Sequence, residues 1–219
     1  LGEGKQDNAK RILSNAFVSL IALAALVSAL MLSLRRPILM TFGASENTYM
    51  YAERYLIVCA AGAVFPILAT GLNQFIAAQG YSGISMTTTA IGAAANIALD
   101  PLFIFVFRLD AMGAAIATVL SQFLSFAFVI LFLRMKRTQV RLTLAKPDIK
   151  VIFKIVKLGL SPFIIIATDS LIIIVSNAVL QRYGGADGDM WITVSTVVQA
   201  FFCLITMPLL GISTGSQPV

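Results

Sequence analysis

With 219 residues, 58% of them hydrophobic and only 12% charged, the chain carries about half the charge of a soluble domain, which excludes a soluble globular fold. A formal charge of +6 would otherwise raise nucleic acid as a partner, but here the cations stand in loops between apolar spans and report membrane orientation instead. There is no histidine, the usual metal ligand and neutral-pH proton shuttle, and Cys59 and Cys203 each lie in an apolar span with no zinc or redox spacing.

Residues 1–11 are polar and basic, with Lys5, Lys10 and Arg11 and no signal-peptide pattern. Leu1 already stands in a polar segment and Val219 ends in or just after an apolar run, so the sequence reads as a piece of a longer protein. Residues 12–34 form a first uncharged span, rich in small residues such as Ala22, Ala25 and Ala29 that suit close packing in lipid. Arg35-Arg36-Pro37 is expected to stop it, and Ser45 is placed to cap the next helix with Glu46 in its first turn. A second span starts near residues 49–53 and runs to about Ala78, with a kink expected at Pro66. Gln79-Gly80-Tyr81-Ser82-Gly83 makes a hairpin turn, and a third span runs from Ile84 to about Phe107. Arg108-Leu109-Asp110-Ala111-Met112-Gly113 is a tight connection to a fourth span, uncharged as far as Leu133.

The most basic stretch follows: Arg134, Lys136, Arg137, Arg141, Lys146, Lys150, Lys154 and Lys157 against Asp148 alone. Lys150, Lys154 and Lys157 follow helical spacing, which predicts a short helix on the membrane surface in contact with anionic lipids over 134–157. A fifth span runs from about Lys157 to Gln181, a glycine-rich turn follows, and a sixth occupies residues 190–212. Six spans alternate the loops between two sides. One side holds eleven Lys and Arg and the other five, so the side with 134–157 is expected to be cytoplasmic.

The fold class is therefore all-α, a polytopic membrane protein. Its chemistry centres on polar groups inside the spans. From Tyr55 to Leu99 there is no charged residue, and then Asp100 lies about eight residues before Arg108, ~12 Å below the surface that the arginine marks. A carboxylate there costs ~2.5–3.5 kcal/mol to insert, so it faces a bundle interior or a wet cavity. Asn96 is one turn earlier on the same face, and Pro101 bends the helix and frees the carbonyl of Ile97 beside the acid. Thr118 lies eight residues past Asp110, at nearly the depth of Asp100, although such a threonine as often bonds its own backbone. Asp169 is the second acid, midway between Lys157 and Arg182. Burial disfavours a bare carboxylate unless a proton or a cation compensates, so H+ exchange and Na+ binding use the same group. Gln199 is mid-span on the last helix, placed to face a substrate cavity or to tie helices together, and Asn73 lies nearer the cytoplasm than Asn96 by roughly 10 Å. Neither a nucleotide-binding G-x-x-x-x-G-K-[S/T] nor a nucleophile–base constellation appears, so no enzyme is expected and no cofactor beyond a coupling ion.

Several of these residues carry a likeness. Leu1-Gly2-Glu3-Gly4-Lys5 with Asn8-Ala9, Phe42-Gly43-Ala44, Ala52 and Tyr55, Asn96-x-x-x-Asp100-Pro101-Leu102-Phe103-Ile104, Gly113-Ala114-Ala115-Ile116-Ala117-Thr118, Tyr183-Gly184-Gly185 and Gly215-Ser216-Gln217-Pro218 resemble the multidrug and toxic compound extrusion (MATE) transporters. The resemblance implies a twelve-helix transporter of two six-helix bundles, of which this chain is similar to helices three to eight. Residues 1–133 would be four helices of the first bundle, 134–157 a basic cytoplasmic connector, and 158–219 the first two helices of the second bundle. It implies an antiporter in the cell (inner or plasma) membrane that exports small cationic or amphipathic compounds in exchange for H+ or Na+, with the remaining half of the same transporter as partner. In the resemblance Asn96, Asp100, Asn73 and Thr118 stand where a first-bundle cation site would be, with Na+ or a proton at Asp100, and Asp169 stands near a seventh-helix acid. The family's first-helix Asp is not in this chain. Two other readings compete. A lipid-linked oligosaccharide flippase would carry cations in its cavity, whereas a non-transporting membrane subunit would use its buried acids only to hold helices together.

Overall fold

A computed structural model describes residues 6–135, 138–143 and 147–216. The family-like residues 1–5, Gln217 and Pro218, and the loop cations Lys136, Arg137 and Lys146, lie outside the described residues. Among the described residues there are helices and no strand: α1 (Gln6–Ser33), α2 (Arg35–Thr41), α3 (Glu46–Ala61), α4 (Val64–Ala78), α5 (Ser82–Pro101), a π-helical turn (Leu102–Val106), α6 (Asp110–Arg134), α7 (Ile149–Tyr183), a 3-10 turn (Gly185–Asp187) and α8 (Gly188–Ser216). In lipid every backbone N–H and C=O must find a partner within the protein, and a helix provides one within its own segment. Five of these helices are long and apolar enough to cross a membrane, and the pair α3 and α4, bent by 51°, makes a sixth when the two are counted as one broken span.

The breaks differ from the sequence expectation in instructive ways. Arg35-Arg36-Pro37 does not end helical structure. Leu34 is a single break, and Arg35 opens α2 with Pro37 in its first turn, where a missing N–H is no loss. The second span bends at Gly62-Ala63 rather than at Pro66. A proline disturbs the carbonyl four residues before it, here Gly62, and the Phe65 N–H takes that oxygen instead at 3.0 Å. The expected surface helix and fifth span are one continuous helix, the 35 residues of α7, with Pro162 inside it.

The chain divides into two compact units, residues 1–36 with 50–163 and residues 37–49 with 164–219. In the first, α5 packs on α6, α4 on α6 and α1 on α4. Its core is Leu13, Leu68, Leu72, Ile76, Val129, Phe132, Leu133 and Val140, all at the end of the helices nearest the basic loop. Lipid tails are as apolar as leucine, so close packing and interhelical hydrogen bonds, ~0.6 kcal/mol each, hold such helices together. The Ser125 hydroxyl donates to the Thr88 carbonyl at 3.1 Å where Gly92 lets α5 meet α6.

The loop after α6 is fastened to that packed end. The Val140 N–H donates to Gln79 Oε1 at 2.9 Å, the Asp148 N–H to Asn15 Oδ1 at 2.6 Å, and the Ser14 hydroxyl to the Thr143 carbonyl. Asp148 caps α7 by accepting the Lys150 N–H at 3.0 Å and pairs with the Arg11 guanidinium at 2.6 Å. The Lys150 N–H first, and the Arg11 guanidinium in addition, hold the Asp148 carboxyl below the usual carboxylate range.

In the second unit, Gly43 takes φ 93° against Asn177 and Ile192, where a Cβ would come 3.2 Å from the Ile192 side chain. Ser45 caps α3 as expected: its hydroxyl accepts the Thr48 N–H at 3.3 Å, and it donates to the Asp189 carboxylate at 2.9 Å at the start of α8. A cavity of about 380 Å³ lies between α7 and α8.

Candidate functional site

Asn96 and Asp100 are four residues apart on α5, and Asn96 Nδ2 donates to Asp100 Oδ1 at 3.2 Å with both side chains half-buried. Immediately beyond them the helix changes character. Pro101 closes α5, and the next turn is π-helical, with the Phe107 N–H reaching five residues back to the Leu102 carbonyl at 3.0 Å. Turns of this kind are rare and concentrate at functional sites. The Phe103 carbonyl accepts the Leu109 N–H at 3.1 Å and lies against Gly113, where a Cβ would stand only 2.7 Å from that oxygen. Gly113 thus lets α6 close on the wide turn. Arg108 and Asp110, both at positive φ (54° and 49°), reverse the chain in between.

That reversal brings Thr118 to the acid's level. Its hydroxyl donates to the Ala114 carbonyl at 2.9 Å, which leaves the oxygen's lone pairs for another group. From α3 comes Tyr55, whose phenol lies within reach of the Thr118 hydroxyl and the Cys59 thiol and near enough to Asp100 for the carboxylate's charge to act on it. Three helices therefore present a carboxylate, an amide and two hydroxyls to one place. Oxygen-rich sets of this kind suit a small hard cation or a proton. The sequence reading gave Tyr55 no role. Its signal is the depth arithmetic that found Thr118: nine residues into α3, or ~13 Å, against eight into α6.

The remaining candidates do not join this cluster. Asn73 Nδ2 donates to the Ser85 carbonyl at 3.1 Å, and Ser85 is eleven residues, ~16 Å, before Asn96 on α5. That bond ties α4 to the first turn of α5, and the Asn73 Oδ1 is buried without a hydrogen-bond partner. Asp169 belongs to the second unit and is exposed on α7, while Thr168 and Ser170 on either side turn their hydroxyls back to the Ile164 and Ile166 carbonyls at 2.9 and 3.0 Å. Gln199 lines the cavity between α7 and α8, where it joins Ser176, Asn177, Ser195 and Thr196 on a wall completed by Ile172, Ile173, Ala200 and Cys203, with no charged residue.

The MatE family model matches residues 1–102. The multidrug export protein MepA of Staphylococcus aureus is 32% identical over 187 residues, 84% of this chain and 41% of that protein. A solved multidrug resistance MATE family transporter of the MOP superfamily, in an inward-facing conformation, matches with a TM-score of 0.88 at 25% identity, over 98% of this chain and 49% of its own. A MOP superfamily transporter from Pyrococcus furiosus, described as having a binding pocket of reverse polarity that suggests a different function, matches with a TM-score of 0.82 at 26% identity, over 96% of this chain and 46% of its own. The chain spans less than half the length of these relatives. Along the sequence and across the helical fold the similarity points one way: the chain resembles part of a MATE family transporter.

Proposed function

We propose that this chain is part of a secondary antiporter that exports small cationic and amphipathic compounds in exchange for H+ or Na+, with the ion bound at Asp100. The observation that carries the reading is the Asn96–Asp100 pair at 3.2 Å beside a π-helical turn, with Thr118 and Tyr55 on the neighbouring helices. In this arrangement Asn96 gives its N–H to the carboxylate. An arriving Na+ needs oxygen instead, so the amide must turn to offer Oδ1. A proton neutralises the acid and weakens the same bond. Either event alters the side-chain tie across the last turn of α5, next to a backbone that already departs from α geometry. Alternating access needs such a coupling between ion occupancy and helix shape.

On this reading residues 1–133 supply four helices of the first bundle, 134–157 the cytoplasmic connector and 158–219 two helices of the second, in the inner or plasma membrane. The connector contacts anionic lipids, and the remaining half of the same transporter completes the cavity. Asp169 and Gln199 serve the second bundle, Gln199 on the cavity wall. The acidic character of both intramembrane charges, Asp100 and Asp169, favours a cationic substrate over the lipid-linked oligosaccharide of a flippase. The test is Asp100→Asn in the full-length protein, assayed by gradient-driven efflux in everted vesicles. Efflux is expected to be abolished with the protein still folded, and unchanged efflux rejects the reading.

A further inference from the structure

The basic end of the first unit holds a groove that the ion site does not use. It measures about 320 Å³ and lies between α1 and the start of α7, lined by Asn8, Arg11, Ile12, Lys150, Val151 and Lys154. Three cations and an amide converge there. Among the described residues the carboxylate at its margin is Asp148, bonded to Arg11 at 2.6 Å, and Asp7 on α1 is paired with Lys10 at 3.3 Å, so these residues give the groove a net positive charge of two (three cations less Asp148). An anion with one or two charges complements it.

The length of α7 sets the depth of this groove. Its 35 residues exceed by far the ~20 that cross a hydrocarbon core of ~30 Å. Lysines are excluded from that core, so Lys150, Lys154 and Lys157 stand at the headgroup level. At 100° per residue those three lie within about 60° of arc, and Ile149, Phe153 and Val156 form the adjoining stripe. That stripe is bare: these side chains are 82%, 69% and 59% exposed. One face of the helix therefore offers cations, and the face beside it offers an apolar surface.

We infer that the groove between α1 and α7 binds the phosphodiester headgroup of an anionic phospholipid, whose acyl chains lie along Ile149, Phe153 and Val156. Arg11 stays paired with Asp148 through one guanidinium nitrogen and contributes its charge, while Lys150, Lys154 and the Asn8 amide donate to the phosphate oxygens. The inference rests on the reading of 134–157 as a lipid-contacting segment and sharpens it to one site.

The experiment is native mass spectrometry of the full-length protein released from nanodiscs of phosphatidylcholine mixed with phosphatidylglycerol. Phosphatidylglycerol is expected to be retained in preference. Each lysine near an anionic surface contributes roughly fivefold, so Lys150→Gln with Lys154→Gln weakens retention by about thirtyfold. Lys150→Arg with Lys154→Arg retains the lipid, which separates lost charge from a damaged fold. Retention unaffected by the double glutamine variant, or lowered as much by Lys157→Gln alone, overturns the site while leaving general lipid contact standing. No preference for phosphatidylglycerol in the parent protein overturns the broader reading as well. Displacement of the lipid by inorganic phosphate assigns the groove to a soluble phosphate and overturns the lipid assignment.

Discussion

The two units of this chain treat an intramembrane carboxylate in opposite ways. In the first, Asp100 has a hydrogen-bonded amide at 3.2 Å and a phenol from α3 near enough to feel its charge, that phenol being within reach of the Thr118 hydroxyl on α6, and a buried core further along the same helices. In the second, Asp169 sits exposed on α7, a helix with no buried residue, next to hydroxyls that have turned back to their own backbone. The contrast teaches that an acid within a span is a candidate and nothing more. A site also needs neighbours at the same depth on other helices, and among the described residues only the first unit gathers them around its acid.

The most severe way to break the comparison is to neutralise both acids separately. Asp100→Asn is expected to abolish efflux, a loss of a hundredfold or more at ~1.4 kcal/mol per tenfold, while Asp169→Asn costs about tenfold and leaves the ion dependence intact. Equal losses would put the two units on one footing. Gly113→Ala drives a methyl to within 2.7 Å of the Phe103 carbonyl, a backbone atom that cannot step aside. Such overpacking costs about 1–3 kcal/mol, to be read as a lower unfolding temperature in detergent together with a weakened response to H+ or Na+. Tyr55→Phe removes one hydroxyl from the cluster and keeps the ring. A net hydrogen bond is worth ~0.5–1.5 kcal/mol, so apparent ion affinity should fall about twofold to twelvefold with maximal efflux preserved. An unaltered affinity would remove Tyr55 from the site.

The smallest effect concerns the loop. Asp148 is held below its usual range, so whatever it contributes is fully present above the unfolded-state value of ~3.9 and is lost as pH falls through the lower folded value. Arg11 is 58% exposed, so that contribution is modest. The opening free energy that hydrogen exchange reads at residues 138–143 should be flat from neutrality down to about pH 4 and fall only below it. A fall near pH 6 would show that some other group fastens the loop.

Much of this was legible in the sequence, and what was missed follows a physical pattern. Uncharged runs gave the crossings because hydrocarbon excludes charge over a fixed thickness. Counting residues from Arg108 and Asp110 gave the shared depth of Asp100 and Thr118, because helical rise is constant. The bend at Gly62-Ala63 was displaced from Pro66 because a proline acts through the carbonyl one turn earlier. The π-helical turn at Leu102–Val106 left no mark in a run of apolar residues that read equally well as α-helix. The attachment of the loop was invisible for another reason. Asn15 and Gln79 are ordinary polar residues until the fold supplies partners 133 and 61 positions away.

The widened turn after Pro101 holds one residue more than regular winding would need. A helix with a surplus position can let that surplus migrate, and each step swivels the intervening side chains by roughly a quarter of a circle without stretching the segment's ends. For a membrane crossing whose ends are pinned, this is an economical way to re-aim an amide and a carboxylate. It makes the length of 102–106, more than its apolar composition, the property that a one-residue deletion would destroy.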